Sequence, residues 1–493
     1  MRIMRIDSQE LDIKMIERKR TVQCALIVLL LCGGARSQES PDPAHSVSTE
    51  GLVAWWRLVS VSAFAQNTSE SVSAGAAISP YLVGANVWHN PNDDVWQVSS
   101  QAGLQIVRIG GGAYDRRMPS NEQLMQWCQQ IRGMNAEPMI QVSQYFSSRQ
   151  AAAIVQFFNV DKNMGIKFWN IGNETWLRQG RPSIETVPAL VAKYVKPLAS
   201  AMKSVDPNIR IFVCDECDYF DALYEGLISG PSDLCGKDEH GRYYIDGFSW
   251  HRYVSGDRDW VAKNAAEDFR ARAAKCRALV DRANVTHGRV GEEALEWGIG
   301  EFNLENKGYA GPSTTEGSGV HSFVNGQFFA EVYGICMKYG ATYACPWSMF
   351  EHGGRRSGTD FSFLDGQGLT PRPSFRHMQL IAENFRGSYA DGSTSQPNIR
   401  AFGCKSNGQY CALILNMEAK GQRTYTLRLD RRPIRDACAI NIDAGAAIEY
   451  QDAISNQTTQ LLVFNANEQL LRKSVYGLEQ AKAGSAPLVV EAD

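Results

Sequence analysis

Short apolar runs alternate with longer amphipathic ones along most of the chain. The short runs are YLVGANVW (81–88), LQIVRIGG (104–111), EPMIQVS (137–143), IKFWNIG (166–172), IRIFVCDE (209–216), YIDGFSWH (244–251), EWGIGEF (296–302) and ATYACPWSMF (341–350). They are rich in β-branched and aromatic residues, as parallel strands buried on both faces should be. Between them, NEQLMQWCQQIRGM (121–134), VPALVAKYVKPLASAMKSV (187–205) and the Ala/Arg-rich stretch 261–283 repeat apolar residues at three and four, which predicts helices. Strand then helix, eight times over, predicts an α/β fold of the (β/α)8 TIM-barrel type. A doubly wound open sheet is the structural rival, but the chain has no Gly-rich dinucleotide fingerprint.

Beyond a helical stretch at 373–385 the period changes to two. YCALILN (410–416), TYTLRLD (424–430) and QLLVFNA (460–466) are separated by Asn/Gly turns, as in an antiparallel β-sandwich. The reading is a barrel over 78–387 and a sandwich over 388–493, with 38–77 a linker that can add a strand to the sandwich.

Residues 1–37 have the make-up of an export signal. Lys14, Arg18, Lys19 and Arg20 precede the apolar run 25–34, and Ala35-Arg36-Ser37 offers small residues for cleavage. A second pattern of that kind, Ala63-Phe64-Ala65, leaves the mature N-terminus open. The expectation is a secreted or periplasmic protein, off the membrane unless lipidated at Cys32, where Leu31 is larger than such sites usually carry. Of 12 cysteines, Cys24 and Cys32 fall in the signal, so disulfides are expected among the rest. Cys404 and Cys411, flanking an Asn407-Gly408 turn, are expected to bridge across a hairpin. Cys214-x-x-Cys217 has no second ligand pair, so a disulfide to Cys235, or core thiols, is expected there rather than zinc. A net charge of -3 gives no reason to expect nucleic-acid binding.

In a parallel barrel the chemistry sits at the C-terminal ends of strands. Read in order, those ends carry Asn86, Trp88 and His89; Arg108 and Gly110-Gly111-Gly112; Gln141 and Tyr145; Asn173 and Glu174; His251 and Tyr253; Glu301 and Asn303; Trp347 and Glu351. Polar groups collect at one rim. The triple glycine lacks the Lys-Ser/Thr of a phosphate loop and reads as close backbone approach. Asn173-Glu174-Thr175 also matches a glycosylation sequon, which catalysis at a barrel mouth explains better. Glu174 and Glu301, at the fourth and seventh strands, can flank a glycosidic bond. One would protonate the leaving oxygen while the other attacks the anomeric carbon. Glu174 has a plainer reading as a helix N-terminal residue that accepts backbone N–H groups.

NIGNE followed by GEF resembles the clan A glycoside hydrolases, retaining enzymes with a barrel and fused sandwich that include β-xylosidase, arabinofuranosidase, β-glucuronidase and endoglucanase families. The resemblance implies Glu174 as acid/base and Glu301 as nucleophile. It also implies Asn173 at the sugar's 2-hydroxyl, His251 and Tyr253 positioning the nucleophile, Arg108 bonded to it, and Trp347 under the sugar. Trp88, His89 and Gln141 join them as candidate substrate contacts. The apolar residues before Glu174 are expected to help keep it protonated.

The expected partner is a polysaccharide or oligosaccharide, with no cofactor and no metal. A metal-dependent hydrolase would want His-x-His near the first strand, and the chain has only eight His without that spacing. The alternative is a non-catalytic carbohydrate-binding barrel. Arg116, Arg117, Arg149, Arg178, Arg181, Arg252, Arg355 and Arg356 follow strand ends, so a uronic or sulfated glycan is expected unless Asp93, Asp94, Asp257 and Asp259 neutralise them.

Overall fold

The computed structural model describes residues 52–57, 76–305, 314–352, 360–366, 369–394, 396–430, 447–467 and 469–492. The export signal, Cys24, Cys32, Cys438, the 63–65 pattern, Arg355 and Arg356 lie outside the described residues.

All eight apolar runs form strands of one parallel sheet. After β1 (Leu52–Arg57), these are β2 (Gly84–Val87), β3 (Ile106–Ile109), β4 (Glu137–Val142) and β5 (Phe168–Ile171). There follow β6 (Arg210–Glu216), β7 (Gly247–Val254), β8 (Glu296–Leu304) and β9 (Ala344–Pro346). They are ordered β2 to β9 without a crossover. A parallel bridge between Val83 and Ala344 closes the circle, so the architecture is a (β/α)8 barrel and not an open sheet.

The inside of the barrel is layered by the period of two along each strand. Ile106, Met139 and Phe168, with Phe212, Tyr343 and Cys345, form a separate fully buried apolar plug. Two residues further along β3, β4 and β5 stand Arg108, Gln141 and Asn170, all buried. The chain therefore spends its lower interior on packing and its upper interior on polar groups.

Helices cover the outside. The 19-residue helix Val187–Val205 buries Val191, Val195, Leu198 and Met202 along one stripe. The 16-residue helix Phe323–Lys338 is buried on nearly every side, because it lies under the second sheet as well as against the barrel.

That second sheet runs β14-β13-β1-β10-β11-β12-β15-β16-β17. Its strands after β9 are β10 (Ser388–Thr394), β11 (Ile399–Ser406), β12 (Gln409–Asn416), β13 (Gln422–Asp430), β14 (Ala447–Ser455), β15 (Thr458–Phe464), β16 (Leu470–Gly477) and β17 (Leu488–Glu491). It folds over itself into a sandwich. The Tyr425 hydroxyl of β13 donates to Gln460 of β15 at 2.7 Å, and the rings of Tyr450 and Phe464 meet at 5.8 Å. Pairing is antiparallel except between β1 and β13, which run parallel. β1 comes from the segment read as a linker.

The expected disulfides are not formed among the described residues. All nine cysteines among the described residues are free thiols. Cys404 and Cys411 do stand opposite each other across the β11–β12 hairpin. Cys404 Sγ lies 3.5 Å from the Asn384 carbonyl. Cys214 and Cys235 are each buried in the apolar core.

Candidate active site

The polar layer ends in a cluster built around Arg108. This guanidinium is fully buried and nearly saturated by oxygen acceptors. It donates to Asn170 Oδ1 at 3.1 Å, Asn86 Oδ1 at 2.9 Å and Glu301 Oε1 at 3.0 Å. It also reaches Gln141 Oε1 at 3.1 Å, Asn173 Oδ1 at 2.7 Å and Asp215 Oδ2 at 2.8 Å. Burial alone would lower its pKa, but Asp215 and Glu301 raise it overall. A permanent cation thus organises residues from five strand ends.

Glu301 sits on β8 and is 6% exposed. Besides Arg108, it accepts from the Tyr253 hydroxyl at 2.8 Å. Glu174 follows β5 in the left-handed region (φ 49°, ψ 53°) at the N-cap of the short helix Thr175–Arg178. It makes no side-chain cap, so the helix-capping account of this residue does not hold. Its oxygens face His251 Nδ1 at 3.3 Å and the Arg178 guanidinium at 3.7 Å. The same His251 nitrogen lies 3.5 Å from Glu301 Oε2. A carboxylate oxygen of Glu174 and one of Glu301 lie within 4.8 Å of each other.

His251 is the hinge of the electrostatics. It is fully buried among Glu174, Glu301 and Asp215, the last at 3.6 Å from Nε2. Burial opposes its charge, yet Glu301 and the other two carboxylates raise its pKa to about 10. The ring is therefore an imidazolium at neutral pH. Burial pushes the Glu301 carboxyl up and outweighs the pull of His251 and Arg108. Burial also pushes Glu174 up, but His251 and then Arg178 hold it below the usual carboxylate range. This corrects one expectation: in the free site the apolar strand before Glu174 does not keep it protonated. The strand is buried, but the residue at its end stands between two cations.

The other candidate residues come from the ends of β2, β4, β5 and β9. Asn173 is buried, and its Nδ2 has no hydrogen-bond partner among the described residues, a donor left over after Arg108 has taken its oxygen. Gln141 ties Arg108 to the Gly111 amide, which donates to Oε1 at 2.7 Å. Trp347 and Trp88 are 5.4 Å apart. Both indoles donate to Glu351 Oε1, at 2.9 and 3.1 Å. Asn303 Nδ2 donates to the Trp347 carbonyl at 2.5 Å. His89 is buried against Trp88, ring centroids 3.7 Å apart. The triple glycine reads as expected. A Cβ on Gly111 would meet the Trp347 ring at 2.4 Å, and one on Gly112 the Arg178 guanidinium.

Sequence reasoning missed Asp215 and Glu216. They end the IRIFVCDE run, and β6 breaks register between Val213 and Glu216. The bulge, with Cys214 and Asp215 at positive φ, turns Asp215 inward to Arg108, Ser249 and His251. These partners outweigh burial and hold its carboxyl well below its normal range. Glu216, which accepts from the Trp176 amide, is pushed by burial to about 8. Two acids closing an apolar run were the available signal.

Glu174, His251 and Glu301 have metal-ligand spacing, as do Asp233, Cys235 and His287. The first trio already holds an imidazolium and has Arg108 at its edge, which disfavours a cation. In the second, burial raises the Cys235 thiol and His287 Nε2 already meets the Ile228 carbonyl at 3.1 Å.

No family model and no curated protein matches the sequence. Solved structures do match. One is a family 51 α-L-arabinofuranosidase from Bifidobacterium longum, at TM-score 0.61 and 14% identity, covering 85% of this chain and 100% of that one. An α-L-arabinofuranosidase from Thermotoga maritima gives 0.60 and 12%, with 90% and 100% covered. A family 44 xyloglucanase from Paenibacillus polymyxa gives 0.55 and 11%, with 84% and 99% covered. At such identities the likeness establishes the fold alone: a TIM barrel with a fused β-sandwich.

Proposed function

We propose that the chain is an exported, retaining glycoside hydrolase, with Glu301 as nucleophile and Glu174 as acid/base. The observation that carries the reading is the carboxylate pair within 4.8 Å at the barrel mouth. Retaining enzymes need the two carboxyls about 5 Å apart, whereas inverting ones need roughly 6.5–9.5 Å to admit water.

In the first step Glu301 attacks the anomeric carbon, the C–O bond to the leaving group breaks, and the leaving oxygen takes a proton from Glu174. In the free site that proton rests on His251, 3.3 Å from Glu174 Oε1; it passes to Glu174 ahead of the transfer and returns to His251 once the second step has reprotonated Glu174. In the second step Glu174 deprotonates a water, which attacks the same carbon and releases Glu301. Arg108 and Tyr253 hold Glu301 in place for both steps.

The neighbours' names supply the first substrates to try: aryl arabinofuranosides, xylosides and glucosides, and xyloglucan. A 2-fluoro glycoside of the active series is expected to leave an adduct on Glu301, read by mass spectrometry of peptides. E301Q and E174Q are expected to lose on the order of 10³-fold or more in kcat. No turnover and no adduct across the series would leave the carbohydrate-binding barrel as the surviving reading.

A further inference from the structure

Away from the catalytic cluster, a groove of about 420 Å³ is lined by Arg116, Arg117, Asn121, Phe146 and Gln150 among others. Its residues follow β3 and β4, so it opens on the same C-terminal rim as Glu174 and Glu301. Arg116 and Arg117 are exposed, and neither has an acidic partner among the described residues. The four aspartates that could have neutralised the rim do not do so. Asp257 caps its own helix at Trp260, Asp259 pairs with Arg258, and Asp93 and Asp94 sit in the first turn of their own helix. Arg252, by contrast, is taken up by Asp218 and Asp268 and is no longer a candidate.

The backbone and side chain of Asp115, just before the two arginines, are pinned. The Ser143 hydroxyl donates to the Asp115 carbonyl at 2.6 Å, and the Gln144 amide and side chain donate to the Asp115 carboxylate at 3.2 and 2.5 Å. Gln144 Nε2 also reaches the Asn173 carbonyl at 3.3 Å, which couples the groove to the residue before Glu174. A pinned backbone leaves less of the loop to order on binding. Arg178 extends the basic path inward. It packs over Gly112 and lies 3.7 Å from Glu174, and its Nε is buried with no hydrogen-bond partner among the described residues.

We propose that this groove is a subsite for an acidic sugar unit, whose carboxylate or sulfate is held by Arg116 and Arg117 while Phe146 packs on the ring. The proposal rests on the glycosidase reading for the direction in which the chain runs, from the groove to the carboxylate pair. Guanidinium groups bind either anion in a planar fork, and the amides of Asn121 and Gln150 suit hydroxyls.

The test is calorimetric binding to the full chain carrying E301Q, with E174Q as a second inert background. The probes are matched in length: xylo-oligosaccharides with and without a glucuronate branch, and galactan oligomers before and after desulfation. At 50 mM NaCl the carboxylated or the sulfated probe is expected to bind at least about tenfold tighter than its neutral match, and which one does so identifies the anion. The preference should shrink at 500 mM NaCl, and R116A/R117A should abolish most of it. Equal affinities for acidic and neutral probes, or a preference untouched by R116A/R117A, would overturn the subsite. Acid preference in a protein that hydrolyses nothing would retain the groove and remove the glycosidase reading. Hydrolysis without acid preference would do the reverse.

Discussion

At the scale of single residues, His251 sets the charge around the carboxylate pair. Its imidazolium, with a pKa near 10, lowers the pKa of both Glu174 and Glu301. In H251N Glu301, the proposed nucleophile, loses a cation, so its pKa rises and the acid limb of kcat/KM should move up by about one unit or more. The alkaline limb should move down, because the acid would lose the proton store beside it. With both effects, kcat at pH 7 is expected to fall roughly 100-fold. An acid limb at its original position would show that His251 acts only by shape. His251 itself was legible in the sequence, as a polar residue at the end of an apolar run. Its charge was not, because that depends on three carboxylates brought from other strands. One of those, Asp215, is turned inward by a bulge that no period-two pattern records.

At the scale of elements, the strand pattern was almost fully legible. The apolar runs gave all eight barrel strands in order, and 187–205 gave its helix to the residue. This worked because parallel barrel strands are buried on both faces and leave no other place for such runs. Sequence patterning was weaker at the junctions, where one residue's conformation sets the site. Gly111 is such a junction. Its φ is 111°, and a side chain there would strike Trp347. G111A is therefore expected to lose about 1–3 kcal/mol of stability from backbone strain. It should also displace the indole, with kcat/KM falling at least about tenfold. Thermal melts and kinetics on the same preparation check both. A full loss of stability with unchanged KM would mean that Trp347 does not contact the sugar. Gly172 shows the same economy at β5: at φ 80° and pressed by the Tyr194 ring, it turns the chain so that Glu174 leaves the strand toward the mouth.

At the scale of the molecule, barrel and sandwich are joined by buried polar groups that the sequence could not pair, since their partners lie 69 to 132 positions apart. Gln327 of the helix Phe323–Lys338 donates to the carbonyls of Asn416 and Thr458, both at 3.2 Å. On the same helix, Glu331 accepts from Arg400 of β11 at 2.9 Å. His377, in the helix Pro373–Asn384, bridges the Pro373 carbonyl at 2.7 Å and the Thr459 hydroxyl at 2.8 Å. The rings of Phe323 and Tyr476 each lie 5.4 Å from it. Burial lowers the His377 pKa to about 4 and raises that of Glu331 to about 7. The signs are opposite. A neutral buried His contributes stability that is present above about 6.5 and is lost as pH falls through 4, worth about 3 kcal/mol for a shift of this size. A carboxyl raised by burial contributes stability that is present below about 4.5 and is lost as pH rises through 7. The junction is therefore tightest in mildly acidic solution. H377N keeps a donor near Pro373 but cannot charge. It should be less stable than the parent at pH 7 by about 1–3 kcal/mol, for the lost bond to Thr459. The two denaturation curves should converge as pH falls toward 4, because only the parent has a histidine to protonate. Parallel curves across that range would show that acid lability arises elsewhere in the chain.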